Sequence, residues 1–235
     1  MVSPERLESM RADWVRLLRR YGVAPAEVQE PFDVLAAAYS APERHYHNLD
    51  HLIEMFRVAA RLASAVADPA PAPRPLVGGR AYDPAAVELA IWFHDAVYDP
   101  RAKDNESRSA ELAAVLLGPI GVPRSTIERT VRLVLATAHL SAADPPADRE
   151  TAVLLDADLA VLGSSEERYR RYAADIRKEY AWVPDEDYRA GRAAVLRAFL
   201  ARPRIFLNQL TFEEGERRAR ENMAAELECL GEPRA

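Results

Sequence analysis

The amino-acid sequence predicts an all-α fold, and two observations carry this prediction. Apolar residues recur along nearly the whole chain at the three- and four-residue spacing of amphipathic helices. No stretch alternates apolar and polar residues between hairpin turns, as half-buried strands do. Because 49% of the 235 residues are hydrophobic, the chain can bury a core of its own. We therefore predict a single helical domain over residues 1–235.

Residues that favour helix ends divide the first part of the chain into elements. These residues are Ser3, Pro4, Gly22, Pro25, Pro31 and Asn48. Serine and asparagine cap helix N-termini, proline suits the first turn, and glycine ends helices. We expect a first helix that ends at Gly22, two short helices that start at the two later prolines, and a long helix after Asn48.

Residues 68–82 are predicted to form a loop inserted into the domain. The segment is rich in proline and contains the pair Gly78-Gly79, and this composition excludes regular structure. The helices on either side must pack together to make a core, so the segment is not expected to separate two domains.

Seven further helices are predicted after the loop. Their expected starts are Asp83-Pro84, Asn105, Ser125, residue 149, Ser164, residue 185 and Thr211 with Glu214. Ser125 with Glu128, and Ser164 with Glu167, have the spacing of capping boxes. Residues 165–235 are expected to form a helical extension packed on the core.

Composition and charge exclude several kinds of protein. The single cysteine, Cys229, cannot form an internal disulfide or a cysteine-based zinc cluster, so a metal would need histidine and carboxylate ligands. A net charge of −6 argues against general nucleic-acid binding. The first 20 residues carry charges throughout, and the longest uncharged apolar run, 113–123, is too short to span a bilayer. We expect a cytoplasmic protein without a membrane partner.

A histidine and an aspartate stand together where an apolar helix is predicted to end, at His94-Asp95. Burial of an unpartnered polar group costs roughly 2–7 kcal/mol, and more for an ion. A bound cation would remove that cost. Upstream, His47 and His51 have the i, i+4 spacing that puts two imidazoles on one helix face.

Two aspartates, Asp156 and Asp158, lie farther along the chain within a strongly apolar helix, and only one of them can readily face the core side. The inward positions His51, His94-Asp95 and Asp158 could converge on one cation, with two nitrogen and two oxygen donors. Such a mixed donor set suits Mn²⁺, Fe²⁺, Ni²⁺, Co²⁺ or Mg²⁺ and does not select among them.

These segments resemble the HD superfamily of metal-dependent phosphohydrolases, whose signature is a His, an adjacent His-Asp pair and a late Asp on successive helices. The sequence looks closest to a bacterial branch of HD phosphohydrolases, and the resemblance spans most of the chain. It is carried by residues 46–52, 93–98, 105–107, 156–163, 176–180 and 188–192. The implied fold is an HD-like helical bundle with additional C-terminal helices.

The resemblance implies that His51, His94, Asp95 and Asp158 are the metal ligands. Asp158 is preferred to Asp156, because the late ligand of the family usually precedes a Leu or Arg-Leu run. The implied reaction is hydrolysis of a phosphate ester, such as a nucleotide, by a metal-activated water.

Catalytic and substrate-binding roles follow from the same resemblance. Asp95 is expected to bridge the metal and the water, and Glu106 to orient or deprotonate that water, unless it only favours the start of its helix. The cations expected to bind the phosphate are Arg44, Lys103, Arg177 and Arg192. His47 and His139 are expected either to reach the site or to have structural roles.

Two alternatives remain open at the level of sequence. One is an HD-type di-iron oxygenase, in which His47, Glu106 and His139 supply further ligands. The other is a non-catalytic binding module stabilised by a metal, with the C-terminal helices as its partner surface.

Overall fold

A computed structural model of the chain describes residues 2–65, 82–138 and 148–231. Within these ranges the secondary structure is helical and no strand occurs, so the all-α prediction is confirmed. The α-helices are α1 (Pro4–Arg19), α2 (Gln29–Tyr39), α3 (Leu49–Ser64), α4 (Pro84–Phe93), α5 (Asn105–Leu117), α6 (Arg124–Leu135), α7 (Arg149–Leu159), α8 (Glu166–Glu179), α9 (Asp185–Leu200) and α10 (Gln209–Cys229). A 3₁₀ helix, Ala160–Gly163, follows α7 directly.

Helix α4 lies at the centre of the first half of the fold. Every residue of α4 except Pro84 and Glu88 is buried, and the helix packs against α3, α5, α6 and α7. A helix that is apolar on all sides is stable only when neighbours cover all of them. The chain that leaves the C-terminal end of α4 therefore starts inside the protein, with His94 as the first residue.

Two hydrophobic clusters make up the interior. The first is built from α1 to α7, with Trp14 set edge-on against Trp92 and Phe93. The second is built from the 3₁₀ helix and α8 to α10, together with Tyr46. The predicted C-terminal extension of 165–235 thus has a hydrophobic cluster of its own, which begins at Leu159.

The 3₁₀ helix and α10 approach each other closely at two glycines. A Cβ atom on Gly163 would lie 2.8 Å from the Cα atom of Gly215. A Cβ on Gly215 would lie 2.9 Å from the ring of Phe206. The two segments can come this close because glycine has no Cβ atom at either position.

Three predicted helix starts are confirmed by their capping bonds. Ser3 accepts from the N–H of Arg6, and Asn48 accepts from the N–H groups of Asp50 and His51. Asp83 accepts from two N–H groups in the first turn of α4. These side chains satisfy donors that the first turn of a helix leaves unpaired.

The expected short helix at Pro25 is wrong. Pro25 lies in a turn, and α2 begins at Gln29 with Pro31 in its first turn. The capping box of Ser125 with Glu128 is also wrong. Pro123 has an extended backbone, with φ −55° and ψ 136°, so the chain enters α6 at Arg124 without a side-chain cap.

Two further helix starts differ from the sequence prediction. Ser165, not Ser164, caps α8 by accepting from the N–H of Arg168, while the Ser164 hydroxyl donates to Val161 O. Helix α10 begins at Gln209, two residues before Thr211.

Apart from Tyr82, the predicted loop of 68–82 lies outside the described residues.

In the ranges that are described, none of the helices combines the length and the apolar character that crossing a bilayer requires.

Candidate metal centre

The four predicted metal ligands lie at the ends of three helices that pack together. His51 is in the first turn of α3, where the Asn48 side chain caps the helix. His94 and Asp95 follow the last turn of α4, and Asp158 is in the last turn of α7. Because α3 contacts both α4 and α7, these chain ends converge.

The distances between the four side chains are those of one cluster. His51 Nε2 lies 3.1 Å from Asp158 Oδ1, and His94 Nε2 lies 3.1 Å from Asp95 Oδ2. His94 Nε2 is also 3.8 Å from Asp158 Oδ1. One ligand atom each from His51, His94 and Asp95 lies within 4.8 Å of the others. An octahedral divalent ion holds adjacent ligands about 3 Å apart, because each is roughly 2.1 Å from the ion. The spacing therefore fits a metal ion.

The His94 ring is oriented as a metal ligand would be. Its Nδ1 lies 2.9 Å from Ile91 O and donates to it, which leaves the lone pair of the neutral ring on Nε2. His94 Nε2 is buried and has no hydrogen-bond partner in the described part of the chain, although an Asp95 oxygen is close. An unsatisfied buried polar atom costs about 1–3 kcal/mol. A cation in the cluster would satisfy this nitrogen and both carboxylates.

The electrostatics of the cluster also favour a cation. Burial alone would lower the pKa of His94, but the Asp95 and Asp158 carboxylates outweigh burial and raise it to about 9. Burial would raise the pKa of Asp95, and His94 instead holds that pKa well below its ordinary value. Burial lowers the pKa of His51 against the opposing effect of Asp158. In the metal-free protein His94 therefore holds a proton beside the Asp95 carboxylate at neutral pH, and a divalent cation that binds in the cluster would displace this proton.

His47 lies beside the cluster and is held from behind by an acidic residue that sequence reasoning missed. Its Nδ1 is 2.6 Å from Glu179 Oε2, and its Nε2 is 3.9 Å from Asp95 Oδ2. Burial would lower the pKa of His47, but the hydrogen bond to Glu179 and the nearby carboxylates raise it. The ring is therefore fixed with one nitrogen on Glu179 and the other toward the cluster.

Glu179 is a fully buried carboxylate at the end of α8. Its Oε1 accepts from the backbone N–H groups of Tyr46 and His47, and its Oε2 accepts from the Tyr98 hydroxyl. Burial would raise its pKa, but these bonds, led by the one from His47, lower it to about 2. The segment 176–180 contributed to the family resemblance, but no helical spacing connects Glu179 with a histidine 132 residues away.

The guanidinium group of Arg44 forms hydrogen bonds with the protein backbone. Its guanidinium donates to the carbonyl oxygens of His47, Asp95 and Ala96. The Tyr39 hydroxyl adds a further bond by accepting from the N–H of Asp95. Arg44 was predicted to bind phosphate, and the structure places it where it ties together the two segments that carry His47 and the His94-Asp95 pair.

A cavity of about 650 Å³ opens next to the cluster, and His47 and Asp158 both line it. Glu106 and Lys103 also line the cavity, and Lys103 makes no ion pair with any described residue. The structure thus brings both of these predicted residues to the same space as the cluster. His139 lies outside the described residues.

The two remaining predicted arginines differ in position. Arg177 donates to the carbonyl oxygens of Tyr180 and Val183 and is not among the residues that line the cavity. It therefore stabilises the turn between α8 and α9. Arg192 does line the cavity, but its guanidinium is already bound to the carboxylate of Glu226.

Asp156 is directed away from the cluster and has a structural partner. Its buried carboxylate accepts from the N–H groups of Leu207 and Asn208, and from the Thr211 hydroxyl. Two helical positions turn the chain by about 200°, so Asp156 and Asp158 face opposite sides of α7. The preference for Asp158 as the ligand thus agrees with the geometry, and Asp156 fixes the start of α10.

Comparison of the chain with protein-family models, curated proteins and solved structures gives no match.

Proposed function

We propose that this protein is a metal-dependent phosphohydrolase that uses His51, His94, Asp95 and Asp158 to hold a divalent cation. The observation that carries the proposal is the convergence of these side chains around His94 Nε2, a buried nitrogen without a hydrogen-bond partner in the described chain. The resemblance of the motif order to the HD superfamily supports the same reading.

The donor set suits a borderline or hard cation such as Mn²⁺, Fe²⁺, Ni²⁺, Co²⁺ or Mg²⁺. When bound, such an ion polarises a phosphoryl oxygen and lowers the pKa of a coordinated water. Side chains of the protein would perform the remaining steps.

His47 is the residue best placed to handle a proton. Glu179 fixes its Nδ1, so Nε2 faces Asp95 and the cavity. From this position Nε2–H can donate to a phosphoryl or leaving-group oxygen. A carboxylate behind an imidazole fixes the ring orientation and stabilises the protonated ring during transfer.

Lys103 and Glu106 would complete the site from the side of α5. Lys103 offers a positive charge to the phosphate, because no described carboxylate engages it. Glu106 lines the same cavity and is proposed to orient the attacking water. Arg44 acts through the backbone and is a positioning residue.

The proposal includes a small-molecule phosphate ester as the partner and the cytoplasm as the location. The single cysteine fits a reducing compartment such as the cytoplasm, and the net charge of −6 argues against general nucleic-acid binding as the alternative to a small molecule.

The test is a screen of 4-nitrophenyl phosphate, nucleotides and small phosphate esters with each of the five cations. Wild type should release phosphate in a metal-dependent way, and Asp95→Asn should reduce the rate by roughly a hundredfold or more. Asp13→Asn, on the exposed face of α1, is the matched control and should retain the wild-type rate.

Equal rates for wild type and Asp95→Asn on every compound would refute the assignment. Metal binding without hydrolysis of any compound would favour the binding-module alternative. Two irons per chain, with oxygen consumption, would favour the oxygenase.

A further inference from the structure

The walls of the cavity beside the cluster are mainly apolar and aromatic. One face of α9 contributes residues at four-residue intervals, and α8 contributes a similar stripe. From α9 these are Asp187, Gly191, Val195 and Phe199, with Tyr188 and Arg192 beside them, and from α8 and its end Tyr172, Ile176 and Tyr180. Leu159, Val161 and Leu162 add aliphatic surface from the end of α7 and the 3₁₀ helix.

Apart from the charged residues, the polar groups on these walls are mainly tyrosine hydroxyls, and that of Tyr46 is buried without a hydrogen-bond partner among the described residues. Of the described residues that line the cavity, none is Asn, Gln or Ser. The Thr137 hydroxyl donates to Val134 O, and Arg192 is bound to Glu226 and to the Tyr172 hydroxyl. Selective recognition of a nucleobase requires unpaired donors and acceptors at fixed positions.

Most of the charged side chains that line the cavity lie away from α8 and α9; the exceptions on α9 are Asp187, in the exposed first turn, and Arg192, which is bound to Glu226. His47, Asp158, Lys103 and Glu106 all belong to α5, α7 or the segments next to α3 and α5. The apolar walls come mainly from α8 and α9. The cavity thus matches a molecule with an anionic head and an apolar body.

We propose that the substrate is a phosphate monoester of an apolar alkyl or aryl alcohol rather than a nucleotide. The phosphate lies at the cluster near Lys103, and the apolar body lies between α8 and α9. The volume of about 650 Å³ is in the range of roughly 300–1,000 Å³ that small-molecule sites occupy. This inference rests on the proposed function, because the cluster supplies the site for the phosphate.

Gly191 offers a way to fill the cavity without disturbing the fold. It is exposed on α9 at the mouth of the cavity, and a Cβ added there meets no atom within 4 Å. A leucine at this position would extend into the apolar part of the cavity. Ala190→Leu adds the same side chain at a neighbouring exposed position that does not line the cavity, so it is the matched control.

The experiment measures calorimetric binding of ethyl-, butyl- and hexylphosphonate, with and without Mn²⁺. These probes have a phosphorus–carbon bond and are not hydrolysed. Affinity should rise by up to about fourfold per added methylene, since complete burial of one methylene contributes roughly 0.8 kcal/mol. In the metal-free protein, adenosine monophosphate should bind at least roughly tenfold more weakly than hexylphosphonate.

Gly191→Leu should abolish the increase with chain length, while Ala190→Leu should retain it, and circular dichroism should confirm that both variants are folded. A flat series in wild type, or tighter binding of adenosine monophosphate than of hexylphosphonate, would overturn the inference. Metal-dependent hydrolysis, together with an affinity that does not change with alkyl chain length, would support the proposed hydrolase and contradict this substrate class. An affinity that increases with alkyl chain length, without hydrolysis of any ester, would support the apolar ligand class and contradict the proposed hydrolase.

Discussion

Glu179 Oε2 lies 2.6 Å from His47 Nδ1, although 132 residues separate the two along the chain. This contact links the last turn of α8 to the segment that leads into α3. Since Glu179 also accepts from the backbone N–H groups of Tyr46 and His47, it fixes both the ring and the main chain that carries it. The C-terminal helices therefore help to build the candidate site in addition to covering it.

Replacement of Glu179 by glutamine should destabilise the protein in a pH-dependent way. The folded state holds the pKa of Glu179 near 2, below its ordinary value of 4.5, because His47 and two N–H groups outweigh the effect of burial. The ionised carboxylate thus stabilises the fold above about pH 4.5, and this contribution is lost as pH falls toward 2. We expect Glu179→Gln to cost roughly 2 kcal/mol at neutral pH and less as the solution is acidified.

Urea denaturation between pH 7 and about pH 3 measures this difference. Glu167→Gln, exposed in the first turn of the same helix, is the control and should show a small difference at every pH. A constant difference between wild type and Glu179→Gln across the range would contradict the role assigned to the carboxylate.

The two aspartates of α7 should behave in opposite ways. Asp158→Asn should lower metal affinity by roughly a hundredfold and change stability less than Asp156→Asn does, since the repulsion between the Asp158 and Asp95 carboxylates opposes the attraction of Asp158 to His94. Asp156→Asn should retain the metal and lower the free energy of unfolding by about 2–3 kcal/mol, because its carboxylate accepts from two N–H groups and a hydroxyl. Metal titration and urea denaturation of both variants measure the two quantities, and loss of metal from Asp156→Asn alone would reverse the ligand assignment.

Arg44→Lys should weaken metal binding without removing a ligand. The guanidinium donates to three carbonyl oxygens around the site, and an ammonium group cannot reproduce this planar arrangement. We expect metal affinity to fall about tenfold, as for other groups that orient ligands. Arg197→Lys, at an exposed position on α9, is the matched control. Unchanged affinity in Arg44→Lys would mean that the ligand segments hold their positions without it.

Gly163→Ala should destabilise the protein by more than about 1 kcal/mol. The added Cβ would lie 2.8 Å from a backbone atom of Gly215, and the backbone cannot give way as a flexible side chain can. Gly191→Ala, where a Cβ meets nothing within 4 Å, should be neutral or stabilising because alanine favours helices. Thermal unfolding of the two variants checks this, and equal midpoints would contradict the close approach of α10 and the 3₁₀ helix.

The sequence was sufficient to predict the helical class. Burial of one face of a helix places apolar residues at three- and four-residue spacing, and this pattern can be recognised within each segment by itself. It was also sufficient to group His51, the His94-Asp95 pair and Asp158 as one candidate site, since each of the three lies at or near the inward side of a predicted helix. The helix starts at Arg124 and Gln209 were misplaced, because local capping patterns compete with backbone preferences and with distant partners such as Asp156.

The part of the site that could not be predicted depends on contacts between distant segments. Glu179 and Arg44 act through hydrogen bonds to backbone groups, and such bonds leave no spacing in the sequence. For Arg44 and Arg177, positive charge and position in the segments that carry the family resemblance suggested phosphate binding, whereas the structure shows both guanidinium groups on carbonyl oxygens. A positive residue near a site can thus serve the site by holding its backbone.

The most direct test of the metal centre is a calorimetric titration of chelator-treated protein with Mn²⁺. We predict one ion per chain in wild type, and a loss of affinity of at least roughly a hundredfold in His94→Ala. His45→Ala, which removes an exposed histidine outside the cluster, should bind as wild type does. Equal binding by wild type and His94→Ala, or no binding by wild type, would contradict the account.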